Sequence, residues 1–245
     1  MPVLAKAPEN ARPICLVTGG SSGLGRAIAE KLSIERGEAV CILSRQSRRL
    51  AGTVRTLAES DCEILSAAAD VTQPADLRAV SSLLETQGYV VSTVFNVAGV
   101  SHFGPFDAST DADVTRVIGT NLIGPINVAR EFLPHLRATS GQIVNVVSRC
   151  ALRGIGDEAV YSAAKWGLRG FSEALREELK GTGVRVMAVY TSSMNTPFWD
   201  GWAEYCKPVD RSNFMEPAEV AAQVVAAAFA GQTCDVAELN ISRRV

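Results

Sequence analysis

The sequence contains no long apolar run. No segment reaches about 18 uninterrupted apolar residues, the length that a membrane-spanning helix needs. The first thirteen residues carry three prolines among polar neighbours and hold no apolar core of the length found in signal peptides. We therefore expect a soluble, cytoplasmic protein that has no membrane partner.

An excess of basic charge is absent as well. The 24 Lys and Arg residues are balanced by 26 Asp and Glu residues, which leaves a net charge of -2. Short basic clusters occur, such as Arg45 to Arg49, but Lys and Arg are otherwise spread along the chain. This balance argues against nucleic acid as the main partner, because nucleic-acid binding needs a concentrated positive surface.

Paired cysteine motifs are missing. The six cysteines are scattered without a C-x-x-C pair, at Cys15, Cys41, Cys62, Cys150, Cys206 and Cys234. Several of them lie inside apolar, strand-like runs, which is typical of buried free thiols. We therefore expect neither disulfides nor a metal site.

The apolar content of the chain is high enough for a sizeable core. Its 245 residues are 47% hydrophobic and 20% charged, which argues against disorder and is typical of an α/β protein. One domain is expected from this length, and two are compatible with it.

Seven short apolar runs alternate with helical patterns along the chain. The runs lie at 14–18, 39–43, 62–69, 91–95, 143–147, 184–190 and 236–241. The longest helical pattern extends from Asp111 to Leu136 and contains Gly124-Pro125, which is expected to bend it. Strands that alternate with helices favour a parallel sheet with helices packed on it.

The first strand leads into a glycine-rich turn. After Thr18 the chain reads Gly19-Gly20-Ser21-Ser22-Gly23-Leu24-Gly25, and apolar residues then recur at helical spacing. Glycine permits a tight turn and lets the backbone approach a pyrophosphate, which the free N–H groups at the helix start can bind. A strand, a glycine turn and a helix in this order predict a phosphate-binding loop.

A tyrosine and a lysine stand four residues apart near the middle of the chain. If Tyr161 and Lys165 belong to one helix, the phenol and the ammonium group lie on the same face about one turn apart. A neighbouring cation lowers the pKa of a phenol, so the pair could exchange a proton near neutral pH. Ser148 follows the apolar run 143–147 and is expected at the carboxyl end of a buried strand, where ligands of parallel sheets bind.

Together, Thr-Gly-x-x-x-Gly-x-Gly and Tyr-x-x-x-Lys resemble the motifs of the short-chain dehydrogenase/reductase family, in its single-domain branch. The likeness covers nearly the whole chain, since further family positions occur in order at Asp70, Asn96-x-Ala98-Gly99, Asn121, Ser148 and Thr196. The resemblance implies an α/β, Rossmann-like, doubly wound parallel sheet of about seven strands with helices on both faces. It also implies a single NAD(P)-binding domain over residues 1–245, with residues 1–12 as a flexible tail.

The resemblance implies four catalytic residues: Asn121, Ser148, Tyr161 and Lys165. Tyr161 would act as the general acid/base, and Ser148 would donate a hydrogen bond to the substrate oxygen. Lys165 would lower the pKa of Tyr161 and bind the nicotinamide ribose. The carbonyl of Asn121 would hold a water molecule against Lys165.

A nicotinamide cofactor is implied in the same way. Its expected contacts are Gly19, Ser21, Ser22, Gly23, Leu24, Gly25, Ser44, Arg45, Asp70, Val71, Asn96, Ala98, Gly99, Tyr161, Lys165 and Thr196. Ser44 stands where NAD-preferring relatives carry an acidic residue, and Arg45 follows it. Because an arginine there accommodates the 2′-phosphate, NADP(H) is favoured and NAD(H) remains open.

The chain departs from the family pattern in three places. Val97 replaces an asparagine, which removes one polar group, and Thr191-Ser192 replaces Pro-Gly after the sixth strand. The end of the chain lacks the glycine turn that helps many relatives to form tetramers. A homodimer or homotetramer is still expected, through the helices around 111–136 and 157–180.

The predicted function is NADP(H)-dependent reduction of a carbonyl group to an alcohol, or the reverse reaction, on a small molecule. The alternative is a cofactor-binding regulator or scaffold on the same fold, without turnover. An aromatic stretch formed by Phe198, Trp199, Trp202 and Tyr205 is either a lid over an apolar substrate or ordinary packing. The sequence leaves the substrate and the direction of the reaction open.

Overall fold

The computed structural model of the protein describes residues 10–200, 210–231 and 233–244. Most of the expected N-terminal tail lies outside the described residues, as do Trp202 and Tyr205 of the aromatic stretch. Arg12, the last residue of the expected tail, instead begins the first strand, and its guanidinium lies 4.3 Å from the centroid of the Tyr89 ring.

Seven strands form one parallel sheet, which confirms the predicted fold class. Their order across the sheet is β3-β2-β1-β4-β5-β6-β7. Their bounds are β1 (Arg12–Thr18), β2 (Val40–Ser44), β3 (Ile64–Ala68), β4 (Tyr89–Asn96), β5 (Gln142–Val146), β6 (Arg185–Thr191) and β7 (Glu238–Ile241).

Helices connect the strands. They are α1 (Gly23–Glu30), α2 (Ser47–Leu57), α3 (Pro74–Thr86), α4 (Asp111–Ile118), α5 (Gly124–Thr139), α6 (Ala159–Glu178) and α7 (Pro217–Ala228). Single 3₁₀ turns are found at Phe106–Ala108, Arg149–Ala151 and Pro197–Trp199. Within the described ranges, every helix is too short or too polar to cross a membrane.

The helices cover both faces of the sheet. Successive side chains of a strand point to opposite faces, and β1 shows the result. Cys15 and Val17 pack in one apolar layer with α1, α2 and α7, whereas Ile14 and Leu16 pack in a second layer with α3 and α5. Both faces of the central strand are therefore buried, as expected for a parallel sheet.

The two edge strands are shorter than predicted. The run 62–69 yields a strand over Ile64–Ala68, and the run 236–241 yields one over Glu238–Ile241. Each edge strand has a single neighbour, so its length is set by how far that neighbour extends. In β3, for example, pairing runs from Ile64 opposite Val40 to Ala68 opposite Ser44.

The long helical pattern contains a π-helical segment rather than a simple bend. The segment Gly119–Ile123 joins α4 to α5, and the N–H of Gly124 bonds the carbonyl of Gly119, five residues back instead of four. Such wide turns are frequent at functional sites because they free a backbone group. This one surrounds Asn121.

Three central strands end next to one another. Thr18 at the end of β1 pairs with Asn96 at the end of β4, and Asn96 pairs with Asn145 of β5. The segments that follow these strands therefore open at the same edge of the sheet. That edge is where parallel sheets bind their ligands.

Candidate active site

One cavity of about 710 Å³ runs along this edge. It joins the glycine turn after β1 to the segment that begins at Ser148. Nearly all of the predicted site residues line it, namely Gly19, Ser21, Ser22, Gly23, Leu24, Gly25, Ser44, Arg45, Asp70, Val71, Ala98, Gly99, Asn121, Ser148, Tyr161, Lys165 and Thr196.

Asn96 is the exception. It is the last residue of β4, it is buried, and its side-chain amide donates to the Asn145 side chain at 2.9 Å. The hydrogen bond joins two neighbouring strands beneath the cavity. Asn96 thus lies within the sheet and does not line the cavity, so its position does not support the expected contact with the cofactor.

The glycine turn is shaped by close backbone contacts. Gly19 has a φ of +69° and Gly23 a φ of +51°, backbone angles that residues other than glycine rarely adopt. A Cβ atom at Gly25 would lie 2.4 Å from the carbonyl oxygen of Gly19, and one at Gly19 would lie 2.9 Å from the Cα of Ala98. Gly19 and Gly25 are therefore packed too tightly against backbone to be replaced by a residue with a side chain.

Thr18 joins this turn to the segment after β4. Its hydroxyl accepts the N–H groups of Val97 and Ala98 at 3.0 and 3.1 Å. The side chain of Val97 packs against the apolar layer of α1 and α7. The backbone of this segment is thus held by hydrogen bonds although Val97 has lost the polar side chain of the family pattern.

The start of α1 is suited to an anion. Ser22 is the N-cap residue, and its side chain makes no capping hydrogen bond in the described part of the chain. The first N–H groups of a helix lack partners inside the helix and carry the positive end of its dipole. Gly23 and Gly25 line the cavity at the start of α1 without a side chain, so a pyrophosphate fits this place.

Polar groups gather where an adenosine ribose is expected. The hydroxyls of Ser21 and Ser44 lie 2.7 Å apart. The guanidinium of Arg45 lies 3.8 Å from the carboxylate of Asp70, and half of the Arg45 side chain is exposed. Arg49 also lines the cavity. Two guanidinium groups, rather than that of Arg45 alone, therefore line this part of the cavity.

Asp70 does not cap the following helix. Its carboxylate accepts the N–H and the hydroxyl of Thr72 at 2.9 and 2.8 Å. Helix α3 begins at Pro74 with Gln73 as the N-cap residue. The Asp70 carboxylate therefore forms a local turn with Thr72 and is not a helix cap.

Asn121 is fully buried in the π-helical segment. Its side-chain amide donates to the carbonyls of Val100 and Val117 at 2.7 and 2.9 Å, and its side-chain oxygen accepts the N–H of Val100 at 3.3 Å. These bonds fix the segment after β4 against the helix. The side chain of Asn121 is thus used in these hydrogen bonds. A water molecule would have to bind the backbone carbonyl of Asn121 instead, in the π-helical segment.

Ser148 has a strained backbone. Its φ is 151° and its ψ is 156°, a region that is essentially restricted to glycine. Its hydroxyl accepts the N–H of Cys150 at 3.1 Å. Strain of this kind persists only where the surroundings enforce it, and it is frequent in active sites.

Tyr161 and Lys165 lie in the first turns of α6, as predicted, and both are buried. The Lys165 ammonium group is 5.6 Å from the centroid of the Tyr161 ring and donates to the carbonyl of Val146 at 3.0 Å. Phenol and cation therefore share the small volume that the four-residue spacing predicts.

Burial dominates the pKa values of this pair. It raises the pKa of Tyr161 above its usual value, and a hydrogen bond with the Ser148 hydroxyl opposes part of that shift. Burial lowers the pKa of Lys165 to about 8. The lower pKa of Tyr161 predicted from the neighbouring cation is reversed, because burial of the phenol shifts the pKa in the opposite direction.

The 3₁₀ turn at Pro197–Trp199 packs over Tyr161. The rings of Phe198 and Tyr161 lie 5.6 Å apart, edge to face, and Trp199 stacks on Phe103 with 5.2 Å between centroids. Thr196, just before this turn, is close enough to Gly23 that a Cβ there would lie 3.2 Å from its methyl group. The described part of the aromatic stretch thus forms one wall of the cavity.

The cavity contains two buried residues that are absent from the predicted catalytic and cofactor-binding residues. Cys150 and Glu158 both line it, and the Cys150 thiol lies 3.2 Å from the Glu158 carboxylate. Glu158 is three residues before Tyr161 in the chain. A glutamate next to a predicted acid/base residue is a usable signal, but only the fold shows that its side chain is buried.

Comparison with known proteins agrees with the motifs. A family model described as short chain dehydrogenase matches residues 13–206. A Mycobacterium tuberculosis protein named as an oxidoreductase, SadH, is 34% identical over 167 residues, which are 68% of this chain. The chain spans 60% of the length of that relative.

Two further similarities extend over more of the chain. Carbonyl reductase family member 4 of Danio rerio is 30% identical over 210 residues, covering 85% of this chain and 87% of that protein. The structure of an alcohol dehydrogenase from the archaeon Thermococcus sibiricus, complexed with 5-hydroxy-NADP, has a TM-score of 0.85 at 25% identity. That comparison covers 96% of this chain and 97% of the other.

Proposed function

The chain belongs to the short-chain dehydrogenase family, and we propose that it is an NADP(H)-dependent oxidoreductase that reduces a carbonyl group to an alcohol, or catalyses the reverse. Under this proposal residues 1–245 act as one cofactor-binding domain. The observation that carries the proposal is that Ser148, Tyr161 and Lys165 line one cavity together with the glycine turn.

The fit of the glycine turn supports a dinucleotide. Gly19, Gly23 and the start of α1 would hold the pyrophosphate, and Thr196 would bind the nicotinamide carboxamide. Lys165 would bind the nicotinamide ribose. When bound, a nicotinamide cofactor supplies or accepts the hydride.

Tyr161 is proposed to supply the proton. Its raised pKa keeps the phenol protonated at neutral pH, which is the form that carbonyl reduction requires. The phenol gives its proton to the carbonyl oxygen, and the Ser148 hydroxyl donates a hydrogen bond to the same oxygen. The nearby Lys165 ammonium group stabilises the phenolate that remains, and a water molecule on the carbonyl of Asn121 returns the proton by way of Lys165.

NADP(H) is proposed over NAD(H) because of charge. Ser44 offers no carboxylate to repel a 2′-phosphate, and Arg45 and Arg49 line the same part of the cavity. Arginine binds phosphate oxygens through paired N–H groups. The structure of the archaeal alcohol dehydrogenase, which is complexed with 5-hydroxy-NADP, is in line with this choice.

A homo-oligomer is part of the proposal. The exposed apolar side chains of Val114, Ile123 and Trp166 lie on α4, the π-helical segment and α6. This is the region where a dimer or tetramer is expected. Large exposed apolar side chains on neighbouring elements are typical of association surfaces.

The test is the loss of NADPH absorbance with ketones, aldehydes, 3-oxoacyl thioesters and ketosteroids, measured beside NADH. We expect turnover with NADPH, and a drop of about 10²- to 10⁴-fold for Tyr161→Phe, because a general acid contributes about that much. Cofactor binding, followed by the fluorescence of bound NADPH, is expected to stay nearly unchanged in this variant.

Tyr89→Phe is the matched control. Tyr89 is also buried, but it lies at the start of β4, against Arg12. Its variant is expected to keep full turnover. Equal turnover by Tyr161→Phe and the wild type would overturn the assignment of Tyr161, and NADPH binding without turnover of any compound would favour the regulator.

A further inference from the structure

A buried carboxylate lines the substrate end of the cavity. Glu158 is the residue before α6, and 6% of it is exposed. Its side chain does not cap the helix. Glu158 has no role in the proposed proton transfer from Tyr161, so the burial of its carboxylate near Tyr161 needs another explanation.

The carboxylate is poorly satisfied by the protein. One of its oxygens accepts a hydrogen bond from the Cys150 thiol at 3.2 Å, and a thiol is a weak donor. No other donor to this carboxylate is found among the described residues. An ionised carboxylate has about four acceptor positions, and leaving them empty away from water is costly. The cavity is where the remaining positions can find a donor.

The surroundings of this carboxylate are largely apolar. Cys150 belongs to the same apolar cluster as Tyr161, Val160 and Phe198. Burial raises the pKa of Glu158, which is consistent with a carboxylate that lacks strong donors. A ligand placed here would therefore meet an apolar wall and one strong acceptor.

Charge selects among the possible donors. Arg116, Arg149 and Arg153 line the cavity together with Lys165. The guanidinium groups of Arg149 and Arg153 and the Lys165 ammonium group disfavour a cationic amine in the cavity, whereas the Arg116 guanidinium is paired with Asp113. A neutral hydroxyl meets no such penalty and can donate directly to a carboxylate oxygen.

We propose that Glu158 is a specificity residue, which accepts a hydrogen bond from a hydroxyl group of the substrate. The preferred substrates are then hydroxy ketones, and vicinal diols in the reverse direction. This inference rests on the proposed function, since it names the substrate class of the same site.

Two ketones of nearly equal size provide the test. 2-Hydroxyacetophenone carries a hydroxyl where propiophenone carries a methyl group, and both offer an aryl ring to the wall formed by Phe198. We expect the wild type to prefer the hydroxy ketone in kcat/KM by about 10- to 100-fold, as for a hydrogen bond to a charged group.

The preference is expected to depend on the carboxylate. Glu158→Leu should bring the ratio of the two kcat/KM values close to one while propiophenone is still reduced. Glu158→Gln keeps an acceptor oxygen without the charge, so it should give an intermediate ratio. The Gln variant also carries the test if the Leu variant does not fold.

Asp157→Asn is the matched control. Asp157 is the neighbouring carboxylate, it is exposed, and its φ of 61° is tolerated by asparagine. Removing its charge is expected to leave the preference unchanged. An equal change in both variants would point to a general charge effect and would overturn the inference.

The outcomes separate the inference from the proposed function. A wild-type ratio near one, or a ratio that Glu158→Leu leaves unchanged, overturns the role of Glu158 while the oxidoreductase stands. If the wild type reduces other compounds of the panel but neither 2-hydroxyacetophenone nor propiophenone, the role of Glu158 is also overturned. No turnover of any compound by the wild type contradicts the proposed function itself.

Discussion

The two ends of the cavity differ in what lines them, which is mainly backbone at one end and mainly side chains at the other. The glycine half, formed by Gly19–Gly25, Ser44 and Arg45, consists mainly of backbone in close contact, with an arginine that is half exposed. The tyrosine half, formed by Asn121, Ser148, Tyr161 and Lys165, consists of side chains, of which all but Ser148 are buried.

This difference predicts two kinds of sensitivity. At Gly19 and Gly25 of the glycine half a substitution acts through sterics, because there is no room for a Cβ atom. In the tyrosine half a substitution acts through desolvation, because burial has moved the pKa values of the phenol and the ammonium group. Exposed charges such as the Arg45 guanidinium are screened by water and contribute less.

The largest effect is expected in the tyrosine half, for Lys165→Met. Turnover should fall by orders of magnitude, because the cation that stabilises the phenolate is lost. Cofactor affinity should fall much less. Steady-state kinetics beside NADPH fluorescence titration measure both, and turnover near the wild-type level would contradict a role for Lys165.

The same variant tests the desolvation argument. The pKa of Lys165 is lowered to about 8 in the fold, from 10.5, so between these values the unfolded chain holds a proton that the folded chain has lost. Wild-type stability should therefore rise with pH relative to Lys165→Met, by up to about 3 kcal/mol over the whole window. Urea unfolding of both proteins from pH 7 to 9.5 measures the difference, and parallel curves would show that the lysine is not desolvated.

The next effect belongs to the glycine half. In Gly25→Ala the new methyl group would lie 2.4 Å from the carbonyl oxygen of Gly19, which is backbone and cannot turn away. We expect a loss of about 1–3 kcal/mol in the free energy of unfolding, as for overpacking, together with weakened cofactor binding.

Gly52→Ala is the control for this substitution. Gly52 lies within α2 and a Cβ there meets nothing within 4 Å. This variant should be about 0.5–1 kcal/mol more stable than the wild type, because alanine favours the helix. Equal behaviour of the two variants would refute the steric account of the turn.

A smaller effect is expected from the exposed charge of the glycine half. Arg45→Ala should lower the preference for NADPH over NADH by about tenfold, which corresponds to about 1.4 kcal/mol. The ratio of the kcat/KM values for the two cofactors measures it. Arg48→Ala is the control, since Arg48 is exposed and does not line the cavity. A preference that survives in Arg45→Ala would assign the phosphate to Arg49.

The smallest effect concerns the backbone at Ser148. Its φ of 151° favours glycine, so Ser148→Gly should be about 1 kcal/mol more stable than Ser148→Ala. Both variants should lose turnover because both lack the hydroxyl. At Ser109, where φ is −71°, the order of the two stabilities should be reversed. Thermal unfolding of the four variants decides, and the same order at both positions would argue against strain at Ser148.

The sheet and most of the candidate site follow from local patterns. Apolar runs with β-branched residues locate all seven strands, and the spacing of Tyr161 and Lys165 predicts that they share one helical face. These patterns fail at the ends of the edge strands, where pairing with a single neighbour decides. They also give no sign of the hydrogen bond between Asn96 and Asn145, which lie 49 residues apart in the chain.

Local patterns in the chain therefore predict the order of its elements and the residues that reach one edge of the sheet. The extent to which water is excluded from the side chains at that edge, and the contacts between them, depend on the packing of the whole chain. It buries Tyr161 and so reverses the expected shift of its pKa, and it places Glu158 against Cys150 inside the cavity. The physical reason is that periodicity is a property of neighbouring residues, whereas desolvation depends on every segment that packs around a group.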